Sequence, residues 1–246
     1  MDLPTIVGTI RSLVIYRARP WRTARMRRFY RAFVPDGGLA FDIGAHVGDR
    51  IACFRALGAR VVAVEPQPHL AALLRHLHGR DGGVTLLDCA LGPAAGTAVL
   101  KLNRRNPTLS TLSSTWAGRV GDSPRFPGER WEGSVTVPVR PLDDLIAAHG
   151  PPDFVKIDVE GFEAEVLAGL SRPVRALSLE FLPETPDAAL ACLDRLAGLG
   201  DYRFQTCRGE SFLPEQAGWT DAVAMRAHLA ALPPGHPGGD LYARLA

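Results

Sequence analysis

Three acids at the ends of two apolar runs carry the most chemistry in this chain. Phe154–Val159 is apolar except for Lys156 and Asp158, and Glu160 follows it. Side chains alternate along a strand, so Lys156, Asp158 and Glu160 share one side at its C-terminal end. Charged groups so placed must be paired or solvated, and a purely structural strand would not need them. Val174–Phe181 is a second run, with Glu180 near its tip. If the two tips adjoin, Asp158, Glu160 and Glu180 converge. Converging carboxylates suit two tasks. One is taking the proton of a hydroxyl nucleophile, with Asp158 as first choice for base or orienting group and Glu160 second. The other is holding a divalent metal such as Mg²⁺, which favours oxygen ligands and lowers a hydroxyl pKa. The residue types do not decide between them.

These acids need a scaffold, and Leu39–Pro66 supplies its centre. Leu39, Ala40, Phe41 and Ile43 form an apolar run broken only by Asp42, as in a buried parallel strand. Gly44 and Gly48 bracket a turn in which backbone can approach a ligand. Asp49–Gly58 reads as a helix with Ile51, Phe54 and Leu57 on one face. Val61–Val64 is the next strand, and Glu65 sits at its tip. Open α/β sheets bind ligands at such tips, and a carboxylate there accepts two hydrogen bonds from a ribose diol. A dinucleotide fingerprint needs glycines at the first, third and sixth positions. Counting from Gly44, those positions hold Gly44, His46 and Asp49. A cofactor with a ribose and no phosphate fits better, and S-adenosylmethionine (SAM) is such a molecule. Asp42 and the Gly44–Gly48 turn, His46 included, would face its amino-acid end. An ordinary strand–helix turn with a surface Glu65 is the plain alternative; the glycine turn, strand and acidic tip occurring together argue against it.

Asp42-Ile-Gly-Ala-His-Val-Gly48 resembles the first motif of the FkbM-type SAM-dependent methyltransferases, where the position of His46 is commonly Asn or His. Val139-Arg-Pro-Leu-Asp-Asp-Leu-Ile146 resembles that family's middle signature, Phe154–Leu170 its most diagnostic segment, and Ala90-Leu-Gly92 its turn after the third strand. The resemblance runs from Leu39 to Leu182. It implies a doubly wound Rossmann-like class I methyltransferase sheet, mostly parallel with an antiparallel C-terminal strand. It also implies O-methylation of a hydroxyl on a small molecule, sugar, glycolipid or polyketide-like metabolite. By the same resemblance Asp88 and Cys89, at the tip of strand Val84–Leu87, hold the adenine: a side-chain acceptor for its exocyclic amine, and backbone from the next residue. A turn aspartate is the plain alternative. Ser110-Thr111-Leu112 resembles a small hydroxyl motif of the family. It lies in the loop Asn103–Gly133, whose length marks it as a lid or a surface loop, with Trp116 and Trp131 lining the pocket or anchoring the loop. Glu163 divides between a strand-tip role and a helix-start acid; Glu165 reads as the latter.

The 246 residues suffice for one large α/β domain with a well-buried core. Cys53, Cys89, Cys192 and Cys207 stand far apart with no Cys-x-x-Cys pair, which favours a reducing compartment. No apolar run approaches the roughly 20 residues of a membrane span, and the start does not read as a secretory signal, because arginines follow Ile6–Ile15. The expected location is cytoplasmic. The net charge of +2 hides an asymmetry: residues 1–35 hold eight arginines and one acid, while the remainder holds 20 bases and 25 acids. The expected division is a basic helical arm over 1–35 and a methyltransferase domain over 36–246, with Pro35-Asp-Gly-Gly38 between. Three readings of the arm compete: helices packed on the domain with solvated or paired arginines, an amphipathic membrane-surface segment over 1–33, and a nucleic-acid arm serving an RNA methyltransferase. No RNA-binding module is recognisable. From another class, a non-catalytic SAM-binding or membrane-associated scaffold would share this fold. Gly96–Leu102 and Ser134–Val139 read as an inserted hairpin or edge strands, Tyr202–Cys207 as a sixth strand with Ser211–Leu213 opening a hairpin partner, and Pro233–Gly239 as loose.

Overall fold

A computed structural model describes residues 2–17, 20–233 and 235–246; Arg19 of the basic arm lies outside the described residues. In chain order the elements are α1 (Leu3–Arg17), α2 (Pro20–Tyr30), β1 (Leu39–Ile43), α3 (Asp49–Ala56), β2 (Arg60–Val64), α4 (Pro68–His78), β3 (Val84–Leu87), β4 (Ala90–Leu91) and β5 (Gly96–Leu102). A 3₁₀ turn (Pro107–Leu109) precedes α5 (Ser114–Gly121), β6 (Gly133–Arg140), α6 (Leu142–His149), β7 (Phe154–Ile157), α7 (Glu163–Ala168) and β8 (Ala176–Phe181). The chain ends through α8 (Pro186–Leu199), β9 (Tyr202–Arg208), α9 (Ala222–Ala230) and β10 (Gly239–Leu245).

Seven strands make one sheet in the order β3-β2-β1-β7-β8-β10-β9. The five from β3 to β8 are parallel, and β10 is antiparallel to both its neighbours. This is the expected doubly wound, Rossmann-like sheet. Within the sheet the antiparallel partner of β9 is the last strand, while the segment after Ser211–Leu213 returns to β9 only through isolated antiparallel bridges, Pro214 to Cys207 and Thr220 to Phe204. Phe212 sits at φ 53°, outside the β region, so Ser211–Leu213 turns instead of extending. The strand after the Pro/Gly-rich stretch carries Leu241 and Ala243 to one core and Tyr242 to the other, which qualifies it for a central position.

Period-two alternation builds both faces. Leu39, Phe41 and Ile43 of β1 join Val155 and Ile157 of β7 under α6, α7, α8 and α9. Ala40 and Phe154 face the other way, under Ile51 and Phe54 of α3 and Met26 and Tyr30 of α2. Met26 and Tyr30 are fully buried, and burying a side chain of Met26's type stabilises by about 1.5–3 kcal/mol. Residues 20–34 therefore share a core with the domain that follows them. β5 and β6 pair antiparallel in a separate three-stranded sheet with β4, which is the inserted hairpin, and the long loop between them carries the 3₁₀ turn and α5.

Strand order reverses between β1 and β7: the chain steps to β2 and β3 on one side, and to β8 on the other. Loops leaving the two central strands therefore diverge at their C-terminal ends and open a crevice.

Candidate active site

The crevice is a cleft of about 960 Å³, its open mouth included. Its floor is the turn after β1. Gly44 has φ 84°, and a Cβ there would lie 1.8 Å from the backbone oxygen of Asp158, so only glycine lets the turns after β1 and β7 meet. Two residues on, His46 also has positive φ, at 49°. Its N–H donates to Glu65 Oε2 at 2.8 Å, and the Gln67 N–H donates to Glu65 Oε1 at 2.8 Å. Glu65 is only 3% exposed and lines the cleft. Two backbone donors thus fix its carboxylate, and each oxygen keeps a lone pair for a ligand. Burial pushes the Glu65 carboxyl up to about 7, against the pull of those donors. Burial also lowers the His46 ring to about 4, so it is neutral near pH 7; its edge meets Tyr16 of α1, ring centroids 5.4 Å apart.

The other half of the cleft holds the three acids. One oxygen from each of Asp158, Glu160 and Glu180 lies within 4.8 Å of the others. Lys156 is completely buried, with Nζ 3.2 Å from Asp158 Oδ2 and 2.8 Å from Asp240 Oδ1. Burial raises the Asp158 carboxyl, and the Lys156 ammonium more than offsets this, holding it below its ordinary value. Glu160 is pushed well above the ordinary range by burial and by the nearby Glu180 and Asp158 charges. Glu180 is raised by burial and by Asp158. Glu160 is 6% exposed, and its side chain has no hydrogen-bond partner among the described residues. Its backbone is held at φ 54°, and its carbonyl accepts a bond from Thr111 Oγ1 at 2.6 Å. Ser110 Oγ donates to Gln67 Oε1 at 3.0 Å. The Ser110-Thr111 pair therefore ties the long loop to both halves of the cleft, and Thr108, Ser110 and Leu112 become one of its walls. Trp116 and Trp131 anchor that loop instead of lining the cleft: Trp116 packs on Gly161, where a Cβ would meet the indole at 2.1 Å, and Trp131 Nε1 donates to Leu109 O at 2.7 Å. Glu163 Oε1 accepts from the N–H groups of Val159 and Gly161 at 3.1 and 3.3 Å, bracing the turn beneath.

Four residues expected to contact the cofactor, Asp42, Gly48, Asp88 and Cys89, do not line the cleft. Asp88 is half-exposed and pairs with Arg75 of α4. Cys89 is buried in the helix-side core, and the cleft wall beyond β3 is made by Ala90 and Leu91 instead. The β3 strand ends at Leu87, so its next residue reaches outward to a charge partner on the neighbouring helix. Gly48, at φ 77°, caps α3 and faces α4, where a Cβ would lie 2.8 Å from Leu74 Cδ2. Asp42 is buried one layer below the turn and does not line the cleft. Neither of its carboxylate oxygens has a hydrogen-bond partner among the described residues, and burial pushes its carboxyl up to about 7.

Other cleft residues had no signal in their local sequence. Asp49 pairs with Arg22 at 2.9 Å and Arg50 at 3.1 Å, and both arginines also hold Glu210, at 2.5 and 2.8 Å. Arg50, Glu210 and Tyr16 line the cleft. This network neutralises Asp49, so its charge no longer argues against a phosphate; the His46 side chain at the fingerprint's third position still does.

Residues 42–204 match the family model of the FkbM methyltransferase domain. The chain belongs to the FkbM methyltransferase family. It is 31% identical over 162 residues to the methyltransferase sdnD of Sordaria araneosa, a stretch that covers 56% of this chain and 62% of that relative. The chain thus spans less than two thirds of that relative's length. Among solved structures it is similar to precorrin-6y C5,15-methyltransferase of Geobacter metallireducens (16% identity, TM-score 0.47, 91% of this chain and 86% of that one). It is also similar to a SAM-dependent O-methyltransferase of Thermotoga maritima (12% identity, TM-score 0.46, 95% and 70%). The FkbM match leaves α1 and α2 outside it, although Tyr16 of α1 reaches the cleft. No helix among the described residues is long and apolar enough to cross a membrane, and all four cysteines are free and buried.

Proposed function

We propose that the protein transfers a methyl group from SAM to a hydroxyl of a small-molecule, sugar or lipid-linked acceptor. The observation that carries this reading is that Glu65 and the Asp158–Glu160–Glu180 trio face one cleft at the switch point of the sheet. The residues present fit SAM. Glu65 offers two free lone pairs, fixed in direction by backbone donors, to a ribose diol. Leu91, Leu112 and Phe162 supply apolar wall for a purine, and the excess of carboxylates suits a ligand that carries a sulfonium. When bound, SAM supplies an electrophilic methyl group, for which a nucleophile need only be aligned.

This chain then has to position a hydroxyl and take its proton. Asp158 and Glu160 divide those tasks by their surroundings. Asp158, kept ionised by Lys156, is the weaker base and serves to orient the hydroxyl. Glu160, raised by burial and like charge, is the stronger base, which reverses the expected order of Asp158 first and Glu160 second. In the ionised form of Glu160, the proton passes from the acceptor hydroxyl to a Glu160 carboxylate oxygen. A positioned base of this kind supplies about 10²–10⁴-fold in rate. A divalent cation such as Mg²⁺ between the same oxygens is the second reading, favoured by their convergence and by the unpartnered Glu160 carboxylate.

Titration calorimetry with SAM, repeated with NAD, tests the cofactor: SAM binds and NAD does not, and absence of SAM binding overturns the reading. Transfer of labelled methyl to a panel of hydroxyl compounds then tests the reaction. Heat on titrating Mg²⁺ alone, lost in Glu160→Gln, would give the carboxylates to a metal instead of a proton.

A further inference from the structure

The first helix is packed the wrong way round for a globular protein. Its buried residues are Thr5, Gly8, Thr9 and Ser12, and a Cβ on Gly8 would lie 2.7 Å from the Arg105 carbonyl oxygen. Leu3, Val7, Ile10 and Val14 fall at i, i+4, i+7 and i+11, one stripe along the opposite side. They are 71, 56, 55 and 58% exposed, and Trp21 at the start of α2 is 68% exposed. An amphipathic helix ordinarily turns such a stripe to the core; here the small and polar side is the docked one, and the apolar stripe faces out.

The charges carried by the same two helices point to what covers it. Arg11, Arg27, Arg28 and Arg31 are exposed and have no ion-pair partner among the described residues. No acid occurs between Asp2 and Asp36. A second copy of this chain would bring the same unbalanced arginines toward one another. Nucleic acid would satisfy the arginines and leave the apolar stripe in water. An anionic lipid surface satisfies both, the stripe entering the acyl boundary and the guanidinium groups meeting headgroup charge.

The inner side of α1 connects this surface to the cleft. Arg11, Ser12 and Tyr16 line a second cavity that reaches Glu160 and Glu180. We infer that α1 seats the protein on an anionic membrane, and that the acceptor is an amphiphile whose polar head reaches the carboxylates past Ser12 and Tyr16. The second clause rests on the methyl-transfer reading; the first does not.

Co-sedimentation of the full chain with vesicles tests the surface, comparing phosphatidylcholine alone with phosphatidylcholine containing phosphatidylglycerol. Binding is expected only to the anionic vesicles and should weaken with salt. Arg27→Gln/Arg28→Gln/Arg31→Gln should lower vesicle affinity by about 100-fold. Val7→Gln/Ile10→Gln/Val14→Gln should lower it by at least about tenfold, and because these residues are already in water both variants should keep the melting temperature and the SAM affinity of the parent. Equal partition to neutral and anionic vesicles, or vesicle binding indifferent to the stripe variant, overturns the inference. So does a parent that is a dimer in gel filtration and that the stripe variant turns into a monomer with no vesicle binding in either. Because SAM affinity is read separately, loss of the membrane result leaves the cofactor result standing, and the reverse.

Discussion

Replacing Glu65 by Gln separates the carboxylate's charge from its shape. In the native protein each Glu65 oxygen accepts one backbone N–H, from His46 and from Gln67, both at 2.8 Å. The variant keeps one oxygen, so one of those amides faces an NH₂ group, and a buried donor left without an acceptor costs about 1–3 kcal/mol. That cost falls on the folded protein whether or not SAM is bound. The cofactor's loss is separate. Hydrogen bonds to a charged acceptor contribute about 1.5–3 kcal/mol and neutral ones about 0.5–1.5, so two diol bonds that lose their charge together lose about 2–3 kcal/mol. At about 1.4 kcal/mol per decade this is a 30- to 150-fold weaker Kd. The pH dependence sharpens the test. The Glu65 carboxyl titrates near about 7 in the free protein, so calorimetry at pH 8 meets a carboxylate and at pH 6 mostly a carboxylic acid, which resembles Gln. SAM affinity of the native protein should therefore rise from pH 6 to pH 8, while that of Glu65→Gln stays flat by comparison. Stability of the free protein runs the opposite way: the folded state holds this proton longer than the unfolded chain, so the group's contribution is intact below about 4.5 and lost as pH rises through about 7. Equal SAM affinity in the two proteins at pH 8, or parallel pH profiles, would refute the diol assignment.

Three further outcomes follow from the same geometry. Glu160→Gln should retain SAM binding and lose about 10²–10⁴ in turnover of labelled methyl; native turnover would remove it from the reaction, and a larger defect in Asp158→Asn would restore Asp158 as the base. Asp42→Asn should stabilise the protein above neutrality and not below pH 4. Burial raises that carboxyl from 3.8 to about 7, so native stability falls across this window, and removing the charge returns up to about 4 kcal/mol at about 1.4 kcal/mol per pH unit; urea midpoints at pH 4 and pH 8 read the difference. Asp49→Asn strips the acid from two arginines whose side chains are only 10% and 8% exposed. Breaking a buried pair from one side costs about 3–5 kcal/mol, and a urea midpoint within error of the parent would show that Glu210 alone balances both arginines.

What the sequence made legible was the part in which one residue's neighbours in the chain are also its neighbours in space. Gly44, His46 and Glu65 form a unit of strand, turn, helix and strand, and the backbone of that unit closes on Glu65 itself, so offsets along the chain were enough to place the acid at the cleft. Glu160 and Glu180 came from adjacent parallel strands, where alternation and a shared C-terminal edge bring tips together. The misplacements occur where a side chain had two directions open to it. Asp88 stands at a strand end, as expected, but the turn sends it to Arg75, a partner one helix away. Asp42 belongs to the motif by position, yet alternation turns it to the same side as Ala40 and Lys156, below the turn. Contacts that close the chain on itself were invisible for a different reason. Arg22 and Glu210 are 188 positions apart, and nothing in either segment marks the other. The arm is the instructive case: it reads as basic and helical, but that alone does not say which side docks. Only when Gly8 is seen against the loop at Arg105 and Pro107 does the small-residue side become the inner one, and the stripe of Leu3, Val7, Ile10 and Val14 becomes a surface in need of an occupant.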